Sequence, residues 1–149
     1  MEIFINTQVL ILKKAAESIY IIMYYIKDYR NRRSKSCEII RNLIGSHKKG
    51  VKIYIIVEGS EDNEEYITKI NKKVSGYLRR RGIYIKFDTK YRITHAKFIV
   101  IDRRYVICSS ANWTEDGLSS NQEAGIILRS EKIAEEFIKY FRLVEEYKL

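Results

Sequence analysis

Short apolar runs of strand length alternate with segments of helical period along this chain. The predicted strands are residues 2–6, 18–26, 51–57, 83–87, 98–101, 105–108 and 124–128. The predicted helices are residues 7–17, 36–50, 60–82 and 130–147. Strands that alternate with helices, and later follow one another directly, predict an α/β fold in which helices sandwich a mixed β-sheet. Because no repeat, low-complexity tract or proline marks a boundary, we expect a single domain, residues 1–149.

Helix caps and inward faces follow from the same pattern. Serines are the expected N-caps of three helices, at Ser36, Ser60 and Ser130. The third predicted helix has an apolar stripe: Tyr66, Ile67, Ile70, Val74, Tyr77 and Leu78. The last has another: Ile133, Phe137, Tyr140, Phe141 and Val144. We expect both stripes to face the sheet.

The charge of the chain favours polyanionic partners. The formal net charge is +9 and the sequence pI is about 9.5, which suits nucleic acid or an acidic membrane surface. The hydrophobic fraction of 46% is normal for a globular protein and argues against disorder.

Cysteine usage and the N-terminus predict a cytoplasmic protein. Cys37 and Cys108 lack C-x-x-C spacing and are expected to be reduced, without a disulfide or a zinc site. The first residues lack a basic region before an apolar core, and the longest apolar run, residues 19–26, is too short to span a bilayer. We therefore expect no stable membrane insertion. The sequence suggests no cofactor, and no His, Cys or carboxylate cluster has metal-ligand spacing.

Five residues with complementary chemistry are concentrated between positions 95 and 112: His95, Lys97, Asp102, Ser110 and Asn112. His95 and Lys97 are two residues apart, so on an extended strand both side chains project from one face. A turn at residues 102–104 joins two apolar runs. The predicted hairpin brings imidazole, ammonium, hydroxyl and carboxamide together at its open end.

These groups suit phosphoryl transfer. The transition state of a phosphodiester carries negative charge on its non-bridging oxygens, so positioning and electrostatics dominate catalysis. Lys97 supplies a cation, Ser110 and Asn112 supply neutral donors, and the imidazole of His95 is able to attack phosphorus. Glu123 is the candidate to hold the other ring nitrogen of His95. Asp102 either balances the positive site or shapes the turn.

The pattern resembles the phospholipase D superfamily motif: His-x-Lys, four residues, Asp, six residues, Gly-Ser-x-Asn. His95, Lys97, Asp102, Ser110 and Asn112 match it with both gaps, and Glu123 falls where that family commonly has a supporting acidic residue. The chain departs from it at Ser109, where glycine is usual. The order of elements resembles the small single-motif, endonuclease-type members. The resemblance implies a metal-independent phosphodiesterase with two His-Lys motifs per active centre. One histidine forms a phosphohistidine; the other protonates the leaving oxygen and later activates water.

A second histidine is therefore required, and the chain has one motif. His47 is the other histidine, and it lies in the last turn of a predicted helix, where histidine usually complements the helix dipole. We expect a homodimer with two-fold symmetry that brings His95 of both chains to one seam.

Several residues are candidate substrate contacts. Lys90 and Arg92 lie just before His95, and Ser109 lies within the motif. Trp113 either lines the substrate groove or belongs to the core. The basic segments 30–35 and 79–81 offer further phosphate contacts or are solvated surface.

The expected function is hydrolysis of DNA or RNA by an endonuclease, which the positive charge favours. One alternative is a phospholipase D-like lipid hydrolase with the same catalytic centre. The other is a catalytically silent nucleic-acid-binding or scaffold protein, for which Ser109 is the main argument.

Overall fold

The computed structural model describes residues 2–59, 65–88 and 93–146. The helices within these residues are α1 (Glu2–Lys13), α2 (Lys35–Lys48), α3 (Tyr66–Arg79) and α4 (Glu131–Glu146). The strands are β1 (Ser18–Met23), β2 (Lys52–Val57), β3 (Tyr84–Phe87), β4 (Phe98–Ile101), β5 (Tyr105–Ser109) and β6 (Gly125–Arg129). A π-helical turn, Asp116–Ser120, precedes β6.

The six strands form one mixed sheet in the order β3-β2-β1-β4-β5-β6. β1, β2 and β3 are parallel, whereas β4, β5 and β6 continue the sheet with antiparallel pairing. One core packs α1, α2 and α3 against one face of the sheet, and a second core packs α4 against the other. The predicted α/β fold, a mixed sheet between helices, is confirmed.

The central strands are apolar throughout because both of their faces are covered. Ile21 of β1 belongs to the core under α1, α2 and α3, and its neighbour Ile22 belongs to the core under α4. All four residues of β4 are buried. A continuous apolar run, rather than an alternating one, is the pattern that such a strand needs.

The predicted strand at residues 2–6 is wrong, because these residues form the start of α1. Ile5, Val9 and Leu12 are buried at helical spacing. The short run Ile3-Phe4-Ile5 is compatible with either element, and burial of the helical face decides between them.

The N-cap of α2 is Ser34 rather than the predicted Ser36. The Ser34 hydroxyl accepts a hydrogen bond from the backbone N–H of Cys37 at 3.0 Å. Ser36 is buried inside the first turn, where its hydroxyl donates to the carbonyl of Trp113 at 3.0 Å. The predicted cap at Ser130 is confirmed, since its hydroxyl accepts from Ile133 N at 3.3 Å. Ser60 lies outside the described residues.

The inward faces of α3 and α4 differ from the apolar stripes. Tyr66 is exposed on α3, whereas Asn71 and Ser75 are buried. On α4, the exposed residues include Ile133 and Tyr140, which we expected to face inward; Ala134 and Ile138 are buried instead. Asn71 accounts for the inward face of α3. Its side chain accepts a hydrogen bond from the backbone N–H of Ile26 and donates to the backbone carbonyls of Tyr24 and Glu58.

Candidate active site

Three chain segments meet where β4 begins and β5 ends. Ser109 N donates to the carbonyl of Lys97 at 3.3 Å, and Ser110 N donates to the carbonyl of Ala124 at 2.9 Å. His95 and Lys97 precede β4 instead of lying inside it. The hairpin nevertheless has the predicted open end, with the histidine, lysine and serine of the motif beside one another.

His95 and Lys97 are in contact. Lys97 Nζ lies 3.4 Å from His95 Nδ1 and donates to the carbonyl of His95 at 2.9 Å. The ring of Tyr24 packs edge-on against the exposed imidazole, with ring centroids 4.5 Å apart. Among the described residues, Nε2 of His95 has no hydrogen-bond partner, so it is the ring nitrogen open to a substrate.

Lys97 is a buried cation. It is 9% exposed, and its ammonium lies 5.4 Å from the centroid of the Tyr24 ring. Burial lowers the pKa of Lys97, and the negative charge of Glu123 opposes that shift. An anionic phosphate beside the ammonium favours the protonated form in the same way as Glu123 does.

Ser110 and Glu123 form the other half of the site. The Ser110 hydroxyl donates to Glu123 Oε2, and Asn121 Nδ2 donates to Glu123 Oε1 at 3.3 Å. The expected hydrogen bond from Glu123 to the imidazole is absent among the described residues. Both carboxylate oxygens are engaged by Ser110 and Asn121 instead. Glu123 therefore interacts with Lys97 electrostatically, and its negative charge raises the pKa of that lysine against the effect of burial.

Asp102 is at the opposite end of β4 from His95. Its carboxylate accepts hydrogen bonds from the backbone N–H groups of Ala16, Glu17 and Ser18, at 2.8 to 3.2 Å. Its φ of 51° is a left-handed conformation that Asp tolerates better than most residues. Of the two alternatives for Asp102, the contacts fit the second: it holds the hairpin turn against the start of β1 and the two residues before it, and it does not reach the charges around His95.

Trp113 is a core residue rather than a wall of the substrate groove. Its exposed fraction is 2%, and its backbone forms a bridge with Ile26. Asn112, beside it, has a buried side-chain oxygen with no hydrogen-bond partner in the described part of the chain. A buried acceptor of this kind is costly unless another group reaches it.

Ser109 meets no backbone restriction that would demand glycine. It is the last residue of β5 and is not among the non-glycine residues of positive φ, which are Asp28, Asp102 and Arg103 in the described ranges. Its hydroxyl accepts from Ala111 N at 3.0 Å. Lys90 and Arg92, the other predicted substrate contacts, lie outside the described residues.

His47 has a structural position. It lies in the last turn of α2, and its Nδ1 is 3.3 Å from the carbonyl of Val51.

Cys37 and Cys108 are free thiols, as predicted, and burial raises the pKa of Cys108.

A pair of acidic residues next to His95 was missed. Thr94 N donates to Glu58 Oε2 at 2.6 Å and to Asp88 Oδ2 at 3.1 Å. Burial raises the pKa of Glu58 to about 7, helped by a hydrogen bond with Asp88, and burial also raises the pKa of Asp88. The signal was present in the sequence, because Glu58 and Asp88 each directly follow a parallel strand, at the carboxyl edge of the sheet.

Tyr24 and Asn71 were also missed. Tyr24 was grouped with the apolar run of β1, although it contacts both His95 and Lys97. Asn71 bonds to the backbone of Tyr24, Ile26 and Glu58, so it holds the segment that carries Tyr24 to the end of β2. Nothing local distinguishes this asparagine from a solvated one on a polar helix.

Two features of the described ranges are relevant to function. No group of three or more His, Cys, Asp or Glu side chains there is arranged to hold a metal ion. No helix there is both long enough and apolar enough to cross a bilayer.

Comparison with known proteins gives a consistent result. Residues 9–144 match the family described as cardiolipin synthase, PLD-like domain. Mitochondrial cardiolipin hydrolase of Canis lupus familiaris is 29% identical over 102 residues, covering 68% of this chain and 38% of that protein. Phospholipase D of Rickettsia conorii is 30% identical over 126 residues, covering 85% of this chain and 56% of that protein. The chain thus spans between 38% and 56% of the length of these two relatives.

A solved structure supports the same fold. The phospholipase D family member Nuc from Salmonella typhimurium aligns with a TM-score of 0.74 at 23% sequence identity. The alignment covers 93% of this chain and 85% of Nuc.

Proposed function

Because the chain belongs to the phospholipase D-like domain family, we propose that it is a metal-independent phosphodiesterase that hydrolyses DNA or RNA. The proposal places one catalytic domain on residues 1–149, with two copies forming one active centre. The observation that carries it is the buried ammonium of Lys97 in contact with the exposed imidazole of His95, at the point where Ser110 and Glu123 also meet.

The proposed reaction has two displacements. In the first, Nε2 of His95 bonds to phosphorus, the ester P–O bond breaks, and the leaving oxygen takes a proton from His95 of the partner subunit. In the second, that imidazole removes a proton from water, the water oxygen bonds to phosphorus, and the bond from phosphorus to His95 breaks. Protons and charges balance over the cycle, and general acid–base catalysis by a positioned histidine typically contributes 10²–10⁴-fold.

Lys97, Ser110 and Asn112 are the proposed groups that bind the phosphoryl oxygens. A cation shielded from water stabilises developing charge more strongly than an exposed one, because the local dielectric is low. The donor that Asn112 would offer a phosphoryl oxygen is its Nδ2, since its unpartnered Oδ1 is an acceptor. Ser110 donates its hydroxyl proton to Glu123 in this structure, so binding a phosphoryl oxygen would require that hydroxyl to turn away from the carboxylate.

The homodimer is part of the proposal because the sequence has one His-Lys motif, whereas the family resemblance implies two per active centre. His47 is engaged at the end of α2. Apolar side chains are exposed near the site: Ile126 of β6 is 52% exposed and Ile3 of α1 is 84% exposed. β6 is an edge strand of the sheet, next to the segment that contains Glu123. These features fit a surface that a second copy covers.

Nucleic acid is the proposed substrate because the chain has a net charge of +9. A phosphatidyl ester is the second candidate, favoured by the names of two relatives, a cardiolipin hydrolase and a phospholipase D. The silent-scaffold alternative has Ser109 as its main argument; the extended backbone there needs no glycine, and the Ser109→Gly variant tests whether a phosphate needs the space.

One panel of reactions tests the proposal. Purified protein is incubated in excess EDTA with single-stranded DNA, double-stranded DNA, RNA, cardiolipin vesicles and a chromogenic diester. We expect cleavage of at least one nucleic acid and of the chromogenic diester. Loss of all activity on chelation contradicts metal independence, and cleavage of cardiolipin alone replaces the nuclease with the lipid hydrolase.

The His95→Ala variant tests the nucleophile, with His47→Ala as the matched control because it removes an imidazole away from the site. His95→Ala is expected to abolish turnover, while His47→Ala retains it. Turnover by His95→Ala at the wild-type rate rules out the proposed nucleophile. Sedimentation velocity measures the dimer, and full activity in a strictly monomeric protein rules out the shared centre.

A further inference from the structure

A cleft of about 620 Å³ lies between the loop after β1, helix α2 and the end of α3. Its volume falls within the range typical of ligand sites, about 300–1,000 Å³. Four arginines and two tyrosines line it: Arg30, Arg32, Arg41, Arg81, Tyr29 and Tyr77. We call this region the arginine cleft. Its arginines come from three separate segments of the chain, so their convergence is a property of the fold.

The four arginines of the cleft gather positive charge in one place. Within the described residues, none of the four forms an ion pair with a carboxylate. Arg81 is held in place: its guanidinium lies 3.6 Å from the centroid of the Tyr77 ring and donates to the carbonyl of Tyr77 at 2.9 Å. Tyr29 packs beside Tyr77, with ring centroids 5.1 Å apart. Like charges gathered without counter-charges repel one another, and a bound anion relieves that repulsion.

The positive surface continues along α2. A second cavity of about 380 Å³ shares Arg32 and Arg41 with the arginine cleft and adds Lys13, Arg33 and Lys35. Glu38 is the acidic residue that lines this cavity, and it is already engaged by Lys13 at 3.9 Å and Lys35 at 3.7 Å. The two cavities are adjacent through Arg32 and Arg41, and together they offer more cations than one phosphate needs.

We propose that the arginine cleft binds the phosphates of a single-stranded nucleic acid, at a site separate from the catalytic centre. Planar guanidinium groups bind phosphate oxygens with two parallel hydrogen bonds, and tyrosine rings stack on bases. In the described part of the chain, none of the exposed large apolar side chains lines the cleft, and the arginines outnumber its two tyrosines. The identity of the strand as substrate rests on the proposed function; the anion site does not.

The cleft is within reach of a strand bound at His95. Tyr24 contacts His95, and Arg30 is six residues further along the chain. Six residues span at most about 20 Å, so Arg30 lies within that distance of Tyr24. The cleft is therefore close enough for one extended strand to reach both it and His95.

The test compares two double variants with equal charge change. Arg32→Gln/Arg41→Gln removes the two arginines shared by both cavities. Lys132→Gln/Arg142→Gln, on the exposed side of α4 across the sheet, is the matched control. Fluorescence anisotropy measures binding of a single-stranded DNA oligonucleotide over a range of salt concentrations. Hydrolysis of the chromogenic diester reports on the catalytic centre alone.

We expect the cleft variant to bind DNA more weakly and to show a salt slope shallower by about 1.4, because two single-strand phosphate contacts are lost at about 0.7 each. Its rate with the chromogenic diester stays at the wild-type value, and the control variant retains the wild-type slope. Equal losses in both variants, or no change in either, overturn the proposal. The same holds if the cleft variant loses binding to phosphatidylglycerol vesicles but keeps its DNA slope.

The two proposals fail in different ways. If the wild-type protein and its variants hydrolyse no phosphodiester, the proposed function is refuted. The salt slopes still decide whether the cleft binds nucleic acid. Urea unfolding confirms that each variant is folded. The single variant Arg32→Gln, in an exposed loop, provides a second measurement with an expected slope change of about 0.7.

Discussion

Replacing Glu58 by glutamine is expected to make the protein more stable at alkaline pH. Glu58 accepts a hydrogen bond from Thr94 N at 2.6 Å and shares a hydrogen bond with Asp88. Glutamine has the shape of the protonated carboxyl, keeps an acceptor for Thr94 and donates to Asp88 through its NH₂ group. The variant therefore preserves the contacts of the acid form and removes the ionisation.

The magnitude follows from the raised pKa of Glu58, which moves from 4.5 to about 7. A shift of that size corresponds to about 3 kcal/mol for a fully buried group. Because the side chain is only half-buried, screening by water reduces the expected effect to about 1–2 kcal/mol. The folded state holds its proton more tightly than the unfolded state. The stability conferred by the protonated form is thus complete below the unfolded pKa and is lost as pH rises through about 7. Asp88, whose pKa is also raised, acts in the same direction.

Urea unfolding at about pH 5 and about pH 8 measures the effect. Wild type is expected to lose about 1–2 kcal/mol more than Glu58→Gln between these values, and the two proteins should be nearly equal at the lower pH. The control is Glu136→Gln on α4, where pairing with Lys139 lowers the carboxyl pKa and the sign is reversed, so no gain is expected. A Glu58→Gln variant that is no more stable than wild type at about pH 8 contradicts the reasoning. An equal gain in the free energy of unfolding at both pH values also contradicts the reasoning, because such a gain would not come from the titration of Glu58.

Three further substitutions test the assignments of structural residues. Asp102→Ala should lower the free energy of unfolding by about 2–4 kcal/mol, because a charged acceptor of backbone N–H groups is lost at a left-handed residue. Turnover per folded molecule should stay at the wild-type value, and a loss of turnover would return Asp102 to the catalytic centre. Asn71→Ala should cost about 3 kcal/mol, because three buried hydrogen bonds are lost, and thermal unfolding that is unchanged would show that these bonds are dispensable. Ser109→Gly should lower the free energy of unfolding by about 1 kcal/mol, because the hydrogen bond from Ala111 N to the Ser109 hydroxyl is lost. Its kcat/KM for the chromogenic diester should change by less than about threefold, equivalent to under 1 kcal/mol. A much larger gain in kcat/KM would mean that glycine is needed there for phosphate binding.

The parts of the fold that could be predicted are those in which one local pattern dominates. The sequence predicts β4 and β5 because each is a continuous apolar run next to a turn; all of β4 is buried, and so are Val106 and Ile107 of β5. Residues 2–6 were assigned to a strand because a short apolar run has no period of its own. The faces of α3 and α4 could not be placed from hydrophobicity alone. On α3, Asn71 faces inward because it makes three hydrogen bonds to the backbone, whereas the more apolar Tyr66 remains exposed.

The candidate site divides in the same way. His95, Lys97 and Ser110 were found because they are close in sequence and belong to one hairpin. Tyr24, Glu58 and Asp88 come from the ends of other segments, so only the topology of the sheet brings them beside Thr94 and His95. The contact made by Glu123 could not be predicted either, since Ser110 and Asn121 compete with the imidazole for its two oxygens.

Asp102 explains why a non-catalytic residue belongs to a catalytic pattern. β4 and β5 pair from Phe98 opposite Cys108 to Ile101 opposite Tyr105, and continuing this register places Lys97 opposite Ser109. A slip of one residue would move every side chain of one strand to the other face of the sheet. The ammonium of Lys97 would then leave Glu123, and an apolar residue would take its place. Asp102 stabilises the turn that closes this hairpin, so the spacing between Lys97, Asp102 and Ser110 measures the length of a hairpin. The aspartate therefore contributes to the stability of the hairpin, from the end farthest from the imidazole, whereas the strand pairing keeps Lys97 in place in each folded molecule.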